Sequence, residues 1–132
     1  MEQVQTLPTI LLVEDDRLIQ SMVGEALREG GFEVSIFASG EEAVAALNHK
    51  KFRAVVSDIH LSGKMEGWDV ARVAREIDPA LPIIYMTGKA AEEWSSKGVP
   101  NSVLLTKPFA PAQLVTAVSQ LLNAGTPTGN AP

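Results

Sequence analysis

Short apolar runs alternate along this sequence with longer segments that carry apolar residues at helical spacing. Four runs cover residues 10–13, 54–57, 83–86 and 103–106, and residues 32–36 form a fifth strand-like segment in which apolar and polar side chains alternate. Parallel strands need a crossover connection, which is usually a helix. Five strands, each followed by a helix, therefore predict a parallel sheet with helices on both faces.

The patterning also predicts the order of the strands. The first, third and fourth runs are almost entirely apolar, as expected for strands that are covered on both faces. The second segment alternates, which is typical of a half-exposed strand at an edge. We therefore predict an α/β, flavodoxin-like, doubly wound (βα)5 sheet in the order 2-1-3-4-5, with its switch point between strands 1 and 3.

The folded part of the chain is predicted to be a single domain over residues 9–124, because 132 residues is an ordinary length for one domain. Residues 1–8 are mostly polar, and residues 125–132 read Gly-Thr-Pro-Thr-Gly-Asn-Ala-Pro. These ends offer little apolar surface to bury, so we predict a disordered tail at each end.

The composition bears on location and partners. The chain has no cysteine, which excludes disulfides and thiolate metal sites, and its net charge of −5 gives no basis for nucleic-acid binding through charge. The first residues lack the basic and apolar regions of a signal peptide. No apolar run approaches the ~18 residues that a membrane span needs. We therefore expect a cytoplasmic protein without nucleic-acid or membrane partners.

Acidic residues follow the first and third strands at the point where each strand ends. Glu14, Asp15 and Asp16 come directly after the first run, and Asp58 follows the third. The carboxyl ends of parallel strands meet at one edge of a sheet, where open α/β folds bind their ligands. Crowded carboxylates repel one another, and a bound Mg²⁺ relieves that repulsion. The ordinary alternative is a helix cap, which we assign to Asp16.

A hydroxyl and an ammonium group follow the fourth and fifth strands. Thr87 ends the fourth run, and Lys107 follows the fifth directly before Pro108. Lys107 at this edge is placed to pair with Asp58 or with a phosphoryl oxygen. Taken alone, each has an ordinary alternative, namely a surface lysine and a β-branched residue that fills a strand end. Together with the acids, they favour a site for a divalent cation and a phosphoryl group.

These residues, in this order and each at a strand end, resemble the receiver domain of bacterial two-component response regulators, in particular the stand-alone chemotaxis type. The resemblance covers essentially the whole predicted domain and implies that Asp58 is the phosphoacceptor and that Mg²⁺ is the cofactor. The implied metal ligands are Glu14 (through water), Asp15, Asp58 and the backbone carbonyl of His60. Thr87 matches the family's switch hydroxyl, and Lys107 matches its lysine, which a cis Pro108 follows.

The resemblance also implies the partners. A sensor histidine kinase or a phosphotransfer protein would supply the phosphoryl group from a phosphohistidine. Phosphorylation would then alter the face built from the fourth helix, the fifth strand and the fifth helix, to which an unknown downstream protein binds. The chain would not be an enzyme with a separate substrate, but a phosphoacceptor that catalyses its own phosphorylation and dephosphorylation.

The sequence departs from the family pattern at the output end. Leu104 stands three positions before Lys107, where the family usually has an aromatic residue. Tyr85 lies on the same predicted strand face as Thr87 and is the candidate substitute. The segment between Thr87 and Lys107 is shorter than usual, which predicts a short fourth helix.

The loop after Asp58 departs from the family pattern as well. Ser62 stands where the family usually has a proline, and the loop is one residue longer than the common pattern. His60 and Lys89 match positions that tune the hydrolysis of the aspartyl phosphate in the family.

Three other functions remain as alternatives for this sequence. The chain is a receiver cut from a larger response regulator or hybrid kinase if its last residues begin a linker. A phosphatase of the haloacid-dehalogenase type also uses a strand-end aspartate, Mg²⁺ and a lysine. That class needs a second aspartate two positions after the nucleophile, where this chain has His60. An interaction module that works without phosphorylation is the third, supported only by Leu104 and the unusual loop.

Overall fold

The computed structural model describes residues 7–88 and 90–124. In chain order the elements are β1 (Thr9–Val13), α1 (Arg17–Glu29), β2 (Glu33–Phe37), α2 (Gly40–Leu47), β3 (Ala54–Asp58), α3 (Gly67–Ile77), β4 (Ile83–Thr87), a 3₁₀ turn (Ala90–Glu93), α4 (Trp94–Lys97), β5 (Val103–Thr106) and α5 (Pro111–Ala124). The predicted tails lie outside the described residues, apart from Leu7 and Pro8. No helix within the two described ranges is long and apolar enough to cross a membrane.

The strands of the described chain form one parallel sheet in the order β2-β1-β3-β4-β5, as the sequence predicted. The alternating strand, β2, lies at one edge, and β5 lies at the other. The chain leaves β1 towards β2 and returns beside β1 as β3, so the direction of winding reverses between β1 and β3. This is the switch point at which such sheets form a crevice.

Two apolar layers cover the sheet, because side chains on each strand point alternately to the two faces. On one face, Leu11 and Val55 pack with residues of α2 and α3 and with Trp94 of α4. On the other face, Ile10 and Val56 pack with residues of α1 and α5. Full burial stabilises each such side chain by roughly 1.5–3 kcal/mol, so these layers hold the strand ends in place.

Acidic and hydroxyl side chains begin the first two helices. Asp16 Oδ1 accepts hydrogen bonds from the amides of Leu18 (2.9 Å) and Ile19 (3.2 Å), which confirms its assignment as the cap of α1. Ser39 Oγ accepts from the amide of Glu42 at 3.2 Å at the start of α2. These caps satisfy amides that the first helical turn leaves unpaired.

The fourth helix is short, as the sequence predicted, with four residues after a 3₁₀ turn. The loop from α4 to β5 is held by side chains instead. Trp94 Nε1 donates to Ser102 Oγ at 2.9 Å. The guanidinium of Arg75 in α3 donates to the carbonyls of Pro100 (2.5 Å) and Leu81 (2.6 Å). Side-chain bonds thus fix the approach to β5 where a longer helix is lacking.

Candidate functional site

The strand register places the ends of four strands side by side. Val13 of β1 pairs with Ser57 of β3, and Thr87 of β4 pairs with Thr106 of β5. Asp58 is the last residue of β3. The residues that follow these pairs therefore share the carboxyl edge of the sheet, beginning at the switch point between β1 and β3, as the sequence predicted.

Lys107 joins two buried carboxylates at this edge. Its Nζ lies 3.1 Å from Asp58 Oδ2 and 3.3 Å from Glu14 Oε1. The side chain of Glu14 is 1% exposed and that of Asp58 is 12% exposed, whereas the side chain of Lys107 is 24% exposed. The Lys107 amide donates to the carbonyl of Thr87 at 2.7 Å, and the Lys107–Pro108 peptide bond is cis. The predicted pairing of Lys107 with Asp58 is present.

Burial and like charge act on Glu14. Burial, followed by the negative charge of Asp58, raises the pKa of Glu14 to about 7, although the Asp16 amide and Lys107 oppose the shift. Burial alone would lower the pKa of Lys107, but the carboxylates of Asp58 and Glu14 outweigh it and raise that pKa. Lys107 therefore stays cationic at neutral pH. Its single ammonium group does not keep the carboxyl of Glu14 fully ionised at that pH.

Asp15 lies at the surface beside these groups. Its Oδ2 accepts hydrogen bonds from Ser62 Oγ at 2.7 Å and from the Ser62 amide at 3.1 Å. These bonds stabilise the ionised form and lower the pKa of Asp15. Asp15 is thus held as a carboxylate that points towards the loop after β3.

The three acids form one cluster of oxygen donors. Glu14, Asp15 and Asp58 each offer a carboxylate oxygen, and these oxygens lie within 4.8 Å of one another. Hard oxygen donors at such spacing suit Mg²⁺, which takes one or two carboxylates and completes its shell with water and phosphate oxygens. The raised pKa of Glu14 agrees, because a nearby cation would favour its ionised form.

The remaining predicted site residues lie around this cluster. Thr87 is buried at the end of β4. His60 is exposed, and its Nδ1 lies 3.5 Å from a carboxylate oxygen of Glu66. Lys89, predicted to tune hydrolysis, lies outside the described residues.

The two residues that bear on the output end have distinct surroundings. Tyr85 is fully buried, its ring centroid lies 4.8 Å from that of Trp68, and its Oη accepts a hydrogen bond from the Val99 amide at 3.1 Å. Leu104 is half-buried on β5 and packs against the same apolar layer. The ring of Tyr85 therefore lies on β4, and its hydroxyl links it to the loop before β5. Its role as a substitute switch residue stays a prediction.

Several residues that support the site carried no assigned role in the sequence interpretation. Gln20 Nε2 donates to the backbone carbonyl of Glu14 at 2.5 Å. Gly67, the first residue of α3, lies so close to β3 that a Cβ there would overlap the carbonyl oxygen of Asp58. A glycine directly before the apolar pattern of α3 was the available signal for this close approach.

Comparison with known proteins identifies the family. The profile described as the response regulator receiver domain matches residues 10–119. This chain belongs to that family. Receiver domains are the phosphorelay modules of two-component signal transduction, so the family and the fold implied by the sequence are confirmed.

The receiver resembles individual proteins over most of its length. It is 35% identical over 117 residues to the response regulator receiver protein CpdR of Brucella abortus, covering 87% of this chain and 97% of that protein. A response regulator receiver protein of Sinorhizobium medicae has a similar crystal structure, with a TM-score of 0.87, 49% identity, and coverage of 89% of this chain and 96% of the other.

Another similar structure contains a metal ion. The receiver domain of a sensor histidine kinase from Pseudomonas aeruginosa has a TM-score of 0.79 and 27% identity, with coverage of 89% of this chain and 99% of the other. That crystal structure has a magnesium ion coordinated in the active-site cleft.

Other relatives are much longer than this receiver. It is 34% identical over 110 residues to the C4-dicarboxylate transport transcriptional regulatory protein DctD of Rhizobium meliloti. The matched region covers 82% of this chain but only 24% of that protein. The matched domain therefore occurs both as nearly a whole protein and as one part of a longer regulator.

Proposed function

We propose that this receiver accepts a phosphoryl group on Asp58, in a Mg²⁺-dependent reaction, from a phosphohistidine on a sensor histidine kinase or phosphotransfer protein. The single observation that carries the proposal is the position of Lys107, whose ammonium lies between the buried carboxylates of Asp58 and Glu14. A half-buried cation beside the acceptor is suited to the charge of an incoming phosphoryl group. Because phosphohistidine is made from ATP, we place the reaction in the cytoplasm.

The transfer needs little covalent work from the protein. A carboxylate oxygen of Asp58 forms a P–O bond while the P–N bond to the donor histidine breaks. The electron pair of the broken bond returns to the imidazole, which leaves neutral when its other nitrogen carries a proton. Asp58 attacks as an ionised carboxylate, so no general base is required. Water later hydrolyses the acyl phosphate and restores Asp58.

The surrounding residues position charge. Asp15 and Asp58, with Glu14 through water, would hold Mg²⁺. The backbone carbonyl of His60 would be the further ligand that the family resemblance implies. When bound, this ion would supply positive charge that offsets the negative charge of the acids and of the transferred phosphoryl group. Lys107 would exchange its contact with Asp58 for one to a phosphoryl oxygen, and the hydroxyl of Thr87 would donate to another. By their sequence positions, His60 and Lys89 would tune the hydrolysis step.

Phosphorylation would be communicated through Thr87 to the face formed by α4, β5 and α5, where a downstream protein binds. The backbone supports this route, because the Lys107 amide donates to the carbonyl of Thr87 at 2.7 Å and so links the ends of β4 and β5. A movement of Thr87 therefore acts directly on the start of the segment that leads to α5.

Intact-mass spectrometry after incubation with acetyl phosphate and MgCl₂ tests the proposal. We expect the native chain to gain the mass of one phosphoryl group, and Asp58→Asn or chelation of Mg²⁺ to prevent the gain. Asp16→Asn is the matched control, since asparagine also caps helices and this acid lies outside the cluster. The absence of any mass gain in the native chain would refute the proposal.

A further inference from the structure

Ser62 is bonded to Asp15 through both its hydroxyl and its backbone amide. The two bonds, of 2.7 Å and 3.1 Å, end on the same oxygen, Asp15 Oδ2. The neighbouring acids are directed by other groups, since Asp16 caps α1 and Glu14 faces Lys107. Ser62 thus fixes the orientation of the most exposed acid of the cluster.

The loop that carries Ser62 is held from its other side as well. Glu41 Oε2, on the first turn of α2, accepts hydrogen bonds from the amides of Lys64 at 3.0 Å and Met65 at 3.2 Å. Gly63 between these anchors has a φ of +95°, a conformation that glycine adopts readily. The loop is therefore hydrogen-bonded to the carboxylate of Asp15 on one side and to that of Glu41 on the other. Ser62 donates its two hydrogen bonds from a backbone that is held in place.

We propose that Ser62 is a positioning residue for Mg²⁺, which holds Asp15 Oδ2 so that the other oxygen of this carboxylate faces the cation. The inference rests on the proposed function and adds a residue to it. A carboxylate has about four acceptor positions, so two hydrogen bonds to one oxygen leave the other oxygen available. Carboxylates that bind metals are commonly held in this way by outer hydrogen bonds, and mutation of the bonding partners typically costs about 10–100-fold in metal affinity or activity.

The role is particular to the residue at this position. The proline that is usual there has neither a backbone N–H nor a hydroxyl, so it provides neither bond. The opposite expectation is that Ser62 competes with the cation for Asp15. In that case, removal of the hydroxyl would tighten Mg²⁺ binding instead of weakening it.

Isothermal titration calorimetry with MgCl₂ on the full chain tests the inference. We expect Ser62→Ala to weaken Mg²⁺ binding by on the order of tenfold, and Ser62→Thr, which keeps a hydroxyl, to restore most of the affinity. Ser96→Ala is the matched control, because it removes an exposed serine hydroxyl of α4 that donates to the backbone carbonyl of Glu93 in the preceding 3₁₀ turn. The thermal midpoint without metal checks that Ser62→Ala still folds.

A double-mutant cycle separates positioning from a general effect on the loop. In an Asp15→Asn background, Ser62→Ala should change the Mg²⁺ affinity by less than about twofold, the usual tolerance for independent sites. A full tenfold effect in that background would overturn the inference. Equal or tighter binding by Ser62→Ala in the otherwise native chain would do the same.

The outcomes also distinguish this inference from the proposed function. At saturating MgCl₂, Ser62→Ala should still accept a phosphoryl group from acetyl phosphate on Asp58. Normal Mg²⁺ binding by Ser62→Ala, with phosphorylation intact, refutes the role of Ser62 alone. A native chain that neither binds Mg²⁺ nor gains a phosphoryl group refutes both proposals.

Discussion

Among single residues, Lys107 sets the balance of charge at the site. Lys107→Met leaves the buried carboxylates of Glu14 and Asp58 without their cation. We expect the free energy of unfolding without Mg²⁺ to fall by about 1–3 kcal/mol, below the loss typical of a fully buried pair because this lysine is 24% exposed. We also expect tighter Mg²⁺ binding, because the ammonium no longer shares the carboxylates with the metal. Urea unfolding and calorimetry measure the two effects.

The control for Lys107 is Lys97→Met, which removes an exposed ammonium of α4 that lies 3.1 Å from Glu93 in the preceding 3₁₀ turn. Exposed pairs contribute little, so this variant should change neither quantity measurably. If Lys107→Met bound Mg²⁺ no more tightly than the native chain, the ammonium would not be competing with the metal for these acids.

Gly67 is a second single residue on which the geometry of the site depends. Its amide donates to the Ile59 carbonyl at 2.8 Å, and a Cβ there would overlap the Asp58 carbonyl oxygen. Gly67→Ala should lower the free energy of unfolding by about 1–3 kcal/mol, as overpacking does, and should slow phosphorylation because Asp58 is displaced. Gly88→Ala is the stability control, since a Cβ at Gly88 meets no described atom within 4 Å. Equal stability of the two variants in urea would contradict the prediction.

The elements themselves were largely predictable because buried parallel strands carry continuous apolar runs. The run at residues 54–57 ends one residue before β3 does, so the acid that follows it, Asp58, is the last residue of the strand and must lie at the carboxyl edge. The partners of the loops were not predictable in this way. Ser62 and Asp15 are 47 positions apart, and their contact depends on how the packing of α2 and α3 orients the loop after β3. No local pattern records that orientation.

The link between β4 and the loop before β5 is an element-scale contact with a direct test. Tyr85→Phe removes the acceptor of the buried Val99 amide and keeps the ring. An unpaired buried amide costs about 1–3 kcal/mol, so we expect that loss in urea unfolding. Hydrogen exchange at Val99 should accelerate, whereas the amide of Gly98, which bonds to the Trp94 carbonyl at 2.8 Å, is the internal control. Unchanged exchange at Val99 would show that the hydroxyl does not hold the loop.

The contact of α2 with the loop after β3 should depend on pH. The carboxylate of Glu41 accepts hydrogen bonds from its own backbone amide and from the amides of Lys64 and Met65. These hydrogen bonds lower the pKa of Glu41 below the ordinary value of 4.5. The folded state therefore favours the ionised carboxyl, and this stabilisation is present above pH 4.5 and is lost as pH falls through the lower folded pKa. We expect Glu41→Gln to be less stable than the native chain at neutral pH and to approach it in acid.

Urea unfolding at a series of pH values measures this convergence. Glu42→Gln is the matched control, because it removes a negative charge from the same helical turn and keeps the two loop amides bonded to Glu41. A stability difference between Glu41→Gln and the native chain that stayed constant from neutral pH to below pH 4 would contradict the assigned role.

At the scale of the whole molecule, the parallel sheet explains both why the acids meet at one site and why their ionisation opposes folding. A parallel sheet directs every strand end of one sense to the same edge, so Glu14 and Asp58 are buried beside each other with Lys107 as the shared cation. Burial and mutual repulsion raise the pKa of Glu14 to about 7, which means that folding works against full ionisation of this edge. A cation that binds only the folded state should therefore stabilise the entire domain.

We expect MgCl₂ at 100 times its dissociation constant to add about 2.7 kcal/mol to the free energy of unfolding, if the unfolded chain does not bind the ion. For a domain of this size, that gain raises the thermal midpoint by about 10 °C. Sodium chloride at equal ionic strength controls for screening, and Asp16→Asn should keep the full shift because the acid that it replaces caps α1. Asp15→Asn should keep little of it. An equal shift with Asp15→Asn and the native chain would place the stabilising ion somewhere other than the carboxyl edge.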